Sequence, residues 1–324
     1  MTRIVPETVG GEEVLRPRSF HATFKVLLLV LVVIPLLTSC QANTSLTLAL
    51  LGDLNLGRDV KAGIDSFAYL EDHLSKADLV VANLESPLGE KPGATTMGYN
   101  LCTSEDNAVL LETWGIDLLA LANNHSMDCS PEGIGATQSI LSAVGLVGLT
   151  SHPYQVEIKG TDITFFAFDD ISAEMDLESA VESINVAHTS ESLVVVSMHW
   201  GMEYQGAPSD RQKYLARVLA EAGADIIWGH HPHVLQKMEW LKTSRGHSLV
   251  LYSLGNALFD QGGLDDTRQS ALLLVKLEGG IIMTVEAIPF EINVPSSTLE
   301  SPSENSSEEI LSRLAIPDGI ITNK

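Results

Sequence analysis

Basic residues are scarce in this chain. There are 19 Lys and Arg against 42 Asp and Glu, and four of the bases and three of the acids fall in residues 1–40, leaving 15 bases against 39 acids beyond them. Binding to a phosphate backbone needs a basic stripe, and none is visible, which excludes nucleic acid as a partner. An anionic substrate would need a local positive field, for which bound divalent cations are the obvious source. Aromatic residues are also few, at 6%, and charged residues make up only 19% beside 45% apolar content, which excludes a disordered chain. Three cysteines in 324 residues exclude a disulfide-packed miniature. What remains is one main globular domain with minor attachments.

Long apolar runs are absent but for one. Arg16, Arg18 and Lys25 precede Val26–Ile34, and the run leads into Leu37-Thr38-Ser39-Cys40. An apolar stretch of ~7–15 residues closed by small residues is an export signal, whereas a membrane span needs ~20. The pattern resembles a bacterial lipoprotein signal, which implies cleavage before Cys40, lipidation of its thiol and attachment to the cell membrane. The alternative is an uncleaved N-terminal anchor, because the segment ahead of the run is long and carries Glu7, Glu12 and Glu13. Either way residues 41–324 are expected outside the cytoplasm, where thiols oxidise. Cys102 and Cys129 could pair or remain free and buried; a separation of 27 residues does not decide.

Short apolar runs alternate with amphipathic stretches. Strands are predicted at 46–51, 78–82, 118–121, 163–168, 193–197, 225–228 and 248–252, and helices near 67–74, 107–114, 132–144, 176–186 and 211–222. Such alternation argues for an α/β fold with a buried sheet. Residues 268–277 and 281–288, split by Glu278-Gly279-Gly280, predict a hairpin that closes a domain of residues 41–292. Residues 293–324, rich in Ser, Glu and Pro to Glu309, predict a flexible tail with a short helix at 308–314.

Polar residues gather where the predicted strands end, which in open α/β sheets is where ligands bind. Asp53 and Asn55 follow the first strand, Asn83 and Glu85 the second, and Asn123, Asn124, His125 and Asp128 the third. His199 ends another, His230, His231 and His233 the next, and Asn256 and Asp260 the last. Each has an ordinary reading: Asp53 as a cap, Glu85 as a loop carboxylate, Asn123 and Asn124 as turn residues, His125 as a surface side chain bonded to Asp128, His199 as a satisfied core histidine. The histidine cluster resists that treatment. His231 and His233 point the same way if the segment is extended, and packing rarely asks for that.

Gly52-Asp53-Leu54-Asn55-Leu56-Gly57-Arg58, Asn83-Leu84-Glu85, Ala122-Asn123-Asn124-His125 with Asp128, His199-Trp200-Gly201 with Glu203-Tyr204, Gly229-His230-His231-Pro232-His233-Val234 and Tyr252-Ser253-Leu254-Gly255-Asn256 resemble, in order, the motifs of the CapA family of poly-γ-glutamate capsule synthesis proteins. That family is similar to the calcineurin-like metallophosphoesterases. The resemblance implies a four-layer α/β/β/α sandwich with two divalent ions, Mn, Fe or Zn, at the strand ends. It implies Asp53 and His233 on the first ion, Glu85 between the two, and Asn124, His199 and His231 on the second. His125, oriented by Asp128, would protonate a leaving oxygen.

Two departures stand out: Asn55 replaces a histidine of the metallophosphoesterases, and Glu85 replaces their bridging aspartate. Arg58 is a candidate for neutralising substrate, with a surface arginine as the alternative, and Glu203 and Tyr204 are candidates for lining the pocket or orienting His199.

Two function classes follow. One is a surface-anchored metal-dependent hydrolase acting on phosphoesters or an envelope polymer. The other is an accessory subunit of a poly-γ-glutamate synthase or other capsule machinery, binding polymer carboxylates through metal without turnover. A solute-binding lipoprotein would instead bind small ligands regardless of chelator.

Overall fold

Leu46, Leu48 and Leu50 face one side of the first strand and Ala49 and Leu51 the other, and all five are fully buried, so this strand needs apolar cover on both faces. The computed structural model, which describes residues 45–90, 99–189 and 192–315, supplies that cover with four layers. The export segment and Cys40 lie outside the described residues.

In chain order the strands and helices are β1 (Ser45–Leu54), α1 (Glu71–Leu74), β2 (Leu79–Leu84), α2 (Ala108–Thr113), β3 (Leu118–Ala120), α3 (Gly133–Ala143), β4 (Val147–Leu149), β5 (Tyr154–Ile158) and β6 (Thr161–Asp169). Then come α4 (Leu177–Ala187), β7 (Ser192–His199), α5 (Asp210–Ala222), β8 (Ile226–His230), β9 (Leu235–Thr243), β10 (Gly246–Leu254), β11 (Asn256–Leu258), β12 (Gln269–Glu278), β13 (Ile281–Asn293), β14 (Thr298–Glu300) and α6 (Glu304–Leu314).

One sheet runs β14-β13-β12-β1-β2-β3-β4, with β11 also paired to β1, and the other runs β5-β6-β7-β8-β10-β9. Leu48, Val81, Phe165, Val195, Ile226 and Leu273 pack between them. The outer face of the first sheet is covered by Leu74, Leu111 and Leu141 from α1, α2 and α3, and that of the second by Ile184, Leu215 and Leu219 from α4 and α5. Each such side chain contributes about 1.5–3 kcal/mol on burial. The fold is the expected α/β/β/α sandwich.

The parallel pairs β1–β2, β2–β3, β6–β7 and β7–β8 aim their carboxyl ends in one direction within each sheet. Across the second sheet Asp169, His199 and His230 stand side by side in register.

The expected hairpin is β12–β13, but residues 293–315 of the expected tail are not a tail. Thr298–Glu300 pairs with β13, and α6 puts Ile310 and Leu314 into the core between the sheets. The Ser- and Glu-rich composition is that of an amphipathic helix, with Ser306, Ile310 and Leu314 buried at four-residue spacing and Ser303 capping the Ser306 amide.

Candidate metal centre

Asp53 sits at the end of β1 opposite Asn83 of β2 and Asn256 of β11. Its neighbour Gly52 leaves room for this convergence, since a Cβ there would lie 2.0 Å from the Gly255 carbonyl oxygen, and the Asp53 amide donates to that same oxygen at 2.9 Å. The Asp53 carboxylate is fully buried and accepts from Asn83 Nδ2 at 2.8 Å and from the His231 amide at 3.1 Å. His230 Nδ1 lies 3.2 Å from one of its oxygens and His233 Nδ1 3.4 Å from the other.

Glu85 is also fully buried, and neither of its carboxylate oxygens has a hydrogen-bond partner among the described residues. One oxygen lies 3.9 Å from His233 Nδ1 and 4.0 Å from His199 Nε2. Asp53, Glu85 and His199 offer ligand atoms all within 4.8 Å of one another, as do Glu203, His231 and His233. Two carboxylates and an imidazole buried together cost several kcal/mol each unless paired, and a divalent cation is the partner that offsets this most directly. Mixed nitrogen and oxygen donors suit Mn, Fe or Zn. The donor set therefore fits the ions that the motifs imply.

The histidine segment is not extended. His231 and His233 have φ of 90° and 57°, flanking Pro232, so the strand-alternation argument for their common direction fails. Their rings nonetheless lie 5.8 Å apart, held by the left-handed backbone instead. His233 Nδ1 also contacts Asn256 Oδ1 at 2.9 Å.

Asn124 meets His199, with Oδ1 2.8 Å from Nε2. The adjacent His125 has Nδ1 2.9 Å from Asp128 Oδ2, which also accepts the Leu101 amide at 2.7 Å. A disulfide joins Cys102 to Cys129, pinning this loop to the segment that follows β2. Asn55 stays out of the cluster: its Oδ1 accepts the Gly57 amide at 2.8 Å and its Nδ2 faces Asp260 at 3.4 Å. Arg58 pairs with Asp260, its Nε 3.0 Å from Oδ2, and lies over the Phe259 ring. Glu203 is exposed and groups with His231 and His233; it does not orient His199 through any contact seen among the described residues.

Burial alone would raise Asp53, but contacts with His230 and His233 hold its carboxyl well below the usual range. Glu85 is pushed well above its ordinary value by burial and by the charge of Asp53. Burial, then His231, lowers His199; burial, then His233, brings His231 down to about 4. Burial opposes protonation of His233 too, yet the charge of Glu85 and the contact with Asp53 win and raise it to about 9.

Sequence reasoning placed His230, Asn83, Asn256 and Asp260 among the strand-end polar residues but gave them no role in the centre, and nothing separates His230 from its neighbours in one dimension. For the asparagines a signal existed in their place at strand boundaries, where Asn83 near the end of β2 and Asn256 at the start of β11 both pair with Asp53.

Residues 47–261 match the family described as bacterial capsule synthesis protein PGA_cap. The chain belongs to this family. It is 32% identical to PGA biosynthesis protein CapA of Bacillus subtilis (strain 168) over 284 residues, covering 76% of this chain and 72% of that one. Capsule biosynthesis protein CapA of Bacillus anthracis is 31% identical over 287 residues, covering 78% and 69%. A crystal structure of a hypothetical protein from Thermus thermophilus superposes with a TM-score of 0.50 at 16% identity, covering 76% of this chain and 99% of the other, a likeness of fold alone. The family match spans the strand ends from Asp53 to Asp260, so every residue of the cluster falls within it.

Proposed function

We propose that this capsule synthesis family member is a lipid-anchored, extracytoplasmic, metal-dependent hydrolase that acts on a phosphoester or on an anionic envelope polymer such as poly-γ-glutamate. The observation that carries the reading is Glu85: a buried carboxylate without a partner among the described residues, beside a second buried carboxylate and a ring of imidazoles. Asp53, Glu85, Asn124, His199, His231 and His233 would hold the ions. Bound divalent cations supply Lewis acidity and a water nucleophile at neutral pH.

The chain's own residues do the rest. Asp128 engages Nδ1 of His125, which sets the orientation of the ring and leaves Nε2 as the atom that gives a proton to the leaving group, the oxygen of a phosphoester or the nitrogen of a polymer amide. Asn83 fixes Asp53, and Asn256 fixes His233, so the donors are oriented before any ligand arrives. Lipidation at Cys40 would keep the site at the cell surface, near capsule machinery.

A second reading, a non-catalytic accessory subunit, draws on Asn55 and Arg58. The first has its acceptor oxygen engaged in a turn, and the second has its charge tied to Asp260, so one ligand and one substrate contact of a hydrolase are spent internally.

Purified protein loaded with Mn²⁺ and offered a generic phosphodiester and poly-γ-glutamate separates the two. The hydrolase predicts turnover abolished by chelator and lowered at least 100-fold in His125→Ala with metal retained. Chelator-sensitive polymer binding without any turnover would establish the accessory role instead.

A further inference from the structure

Where the two sheets meet at β4 and β6, the sandwich leaves a cavity of about 510 Å³. The Ala167 amide donates to the Thr150 carbonyl at 2.8 Å across that junction, and both residues line the cavity, with Ser179 and Ser183 of α4 forming a wall. Two more lining residues belong to the strand ends of the metal centre. Ala122 precedes Asn123 and Asn124, and Asn124 Oδ1 lies 2.8 Å from His199 Nε2. Asp169 is in register with His199 on the next strand, and the Asp170 amide donates to the His199 carbonyl at 2.9 Å. The cavity therefore adjoins the Asn124 and His199 side of the centre. None of the motifs that mark the centre includes Asp169.

Asp169 and Asp170 are neighbours in sequence with different partners. Asp170 receives Arg211, whose Nε and Nη2 donate at 3.0 and 2.8 Å. The Asp169 carboxylate accepts only backbone amides, from Ile171 at 2.8 Å and Ser172 at 3.3 Å, and no basic side chain pairs with it among the described residues. The lining of the cavity holds no Lys or Arg among the described residues either. A half-buried carboxylate held by amide dipoles alone attracts a cation more strongly than it would in water, and repels an anion. The ions of the adjoining centre draw the anionic part of a substrate. A ligand that satisfies both fields is zwitterionic, with its phosphoryl or acyl group at the centre and its ammonium in the cavity, where the hydroxyls of Thr150, Ser179 and Ser183 suit the polar atoms beside it.

We propose, resting on the metal centre above, that this cavity is a substrate subsite for an ammonium group, with Asp169 as its counter-ion. Two sources present that group near a scissile bond: the free amino end of a γ-linked glutamate chain, and an aminoalkyl phosphoester. In the first case the protein acts at the end of a polymer.

Calorimetry on full-length, Mn²⁺-loaded protein tests this through binding, in a His125→Ala parent that leaves the probes intact. The probes are tri-γ-glutamate with a free or an acetylated amino end, and aminoethyl phosphate beside ethyl phosphate. The parent should bind the amine of at least one pair about tenfold or more tighter than its counterpart. Preference within the first pair identifies a polymer end, and within the second an aminoalkyl phosphoester. Asp169→Asn keeps an acceptor for the Ile171 amide while removing the charge, and should erase the preference with the Mn²⁺ equivalents unchanged. Ser179→Phe, filling the cavity from α4, should erase it as well and keeps the test open if the Asn variant melts early. No binding or no preference in the parent, or a preference that survives Asp169→Asn, would overturn the subsite and leave the metal centre standing. Loss of an Mn²⁺ equivalent in Asp169→Asn would make Asp169 a metal ligand and overturn it too. A parent that binds no Mn²⁺ yet prefers the amine would remove the centre and keep the subsite.

Discussion

His233 shows how a single side chain can be read for its proton. Its pKa is raised from 6.5 to about 9 by Glu85 and Asp53. A group raised in the folded state adds stability that is complete below pH 6.5 and is lost as pH climbs through about 9, on the order of 3 kcal/mol for a shift of this size. Glu85, also raised, acts with the same sign, while the lowered His199 and His231 act only below pH 6.5. The melting temperature of chelated protein should therefore fall between pH 6.5 and 9.5, and metal should abolish the fall by taking the proton's place. A chelated protein with a flat profile over that range would contradict the buried cluster. The residue types at the strand ends were legible in sequence, because acids, amides and imidazoles after apolar runs stand out locally. Their partners were not: His230 and His233 face the same carboxylate from a segment that begins 177 positions later, and only folding brings them there.

At the scale of elements, the loop carrying Asn124, His125 and Asp128 has no regular structure to hold it. It is held by the Cys102–Cys129 bridge, by Asn100 Nδ2 donating to the Asp128 carbonyl at 2.6 Å and by the Leu101 amide donating to the Asp128 carboxylate. Closing 27 residues contributes about 3.5 kcal/mol. Cys129→Ser, or reduction, should lower unfolding stability in urea by about that amount. It should lower turnover far more than Mn²⁺ affinity, since Asp53 and His199 lie on strands and Glu85 directly follows one, all outside the bridged loop. Equal loss of both would mean that the bridge supports the whole centre. Among elements, four of the five strands that sequence reasoning missed share a place: β4, β5, β9 and β14 are the ends of the two sheet orders, and the fifth, β11, is a three-residue strand paired to β1. An apolar run marks a strand covered on both faces, as β2 and β7 are, whereas an edge such as Leu235–Thr243 alternates and carries Lys237, Glu239 and Lys242.

At the scale of the whole molecule, α6 closes the gap between the sheets near β9 and β13. Its Ile310 and Leu314 are fully buried, and Arg313 reaches Asp266 at 2.8 Å. Ile310→Ala should cost about 2–5 kcal/mol, and ending the chain at Pro302 more than that, measured by thermal melting; an unchanged melting temperature would return this segment to the status of a tail. Sequence by itself determined the α/β class, the inner strands and the line of polar residues at their ends, because periodicity and residue type act over a few positions. Tertiary structure alone decided that Cys102 meets Cys129, that α6 is core and that Glu203 meets His231 and His233. Those outcomes depend on distances between parts of the chain that have no local signal, and are fixed only when two sheets pack and their loops must share one end of the sandwich.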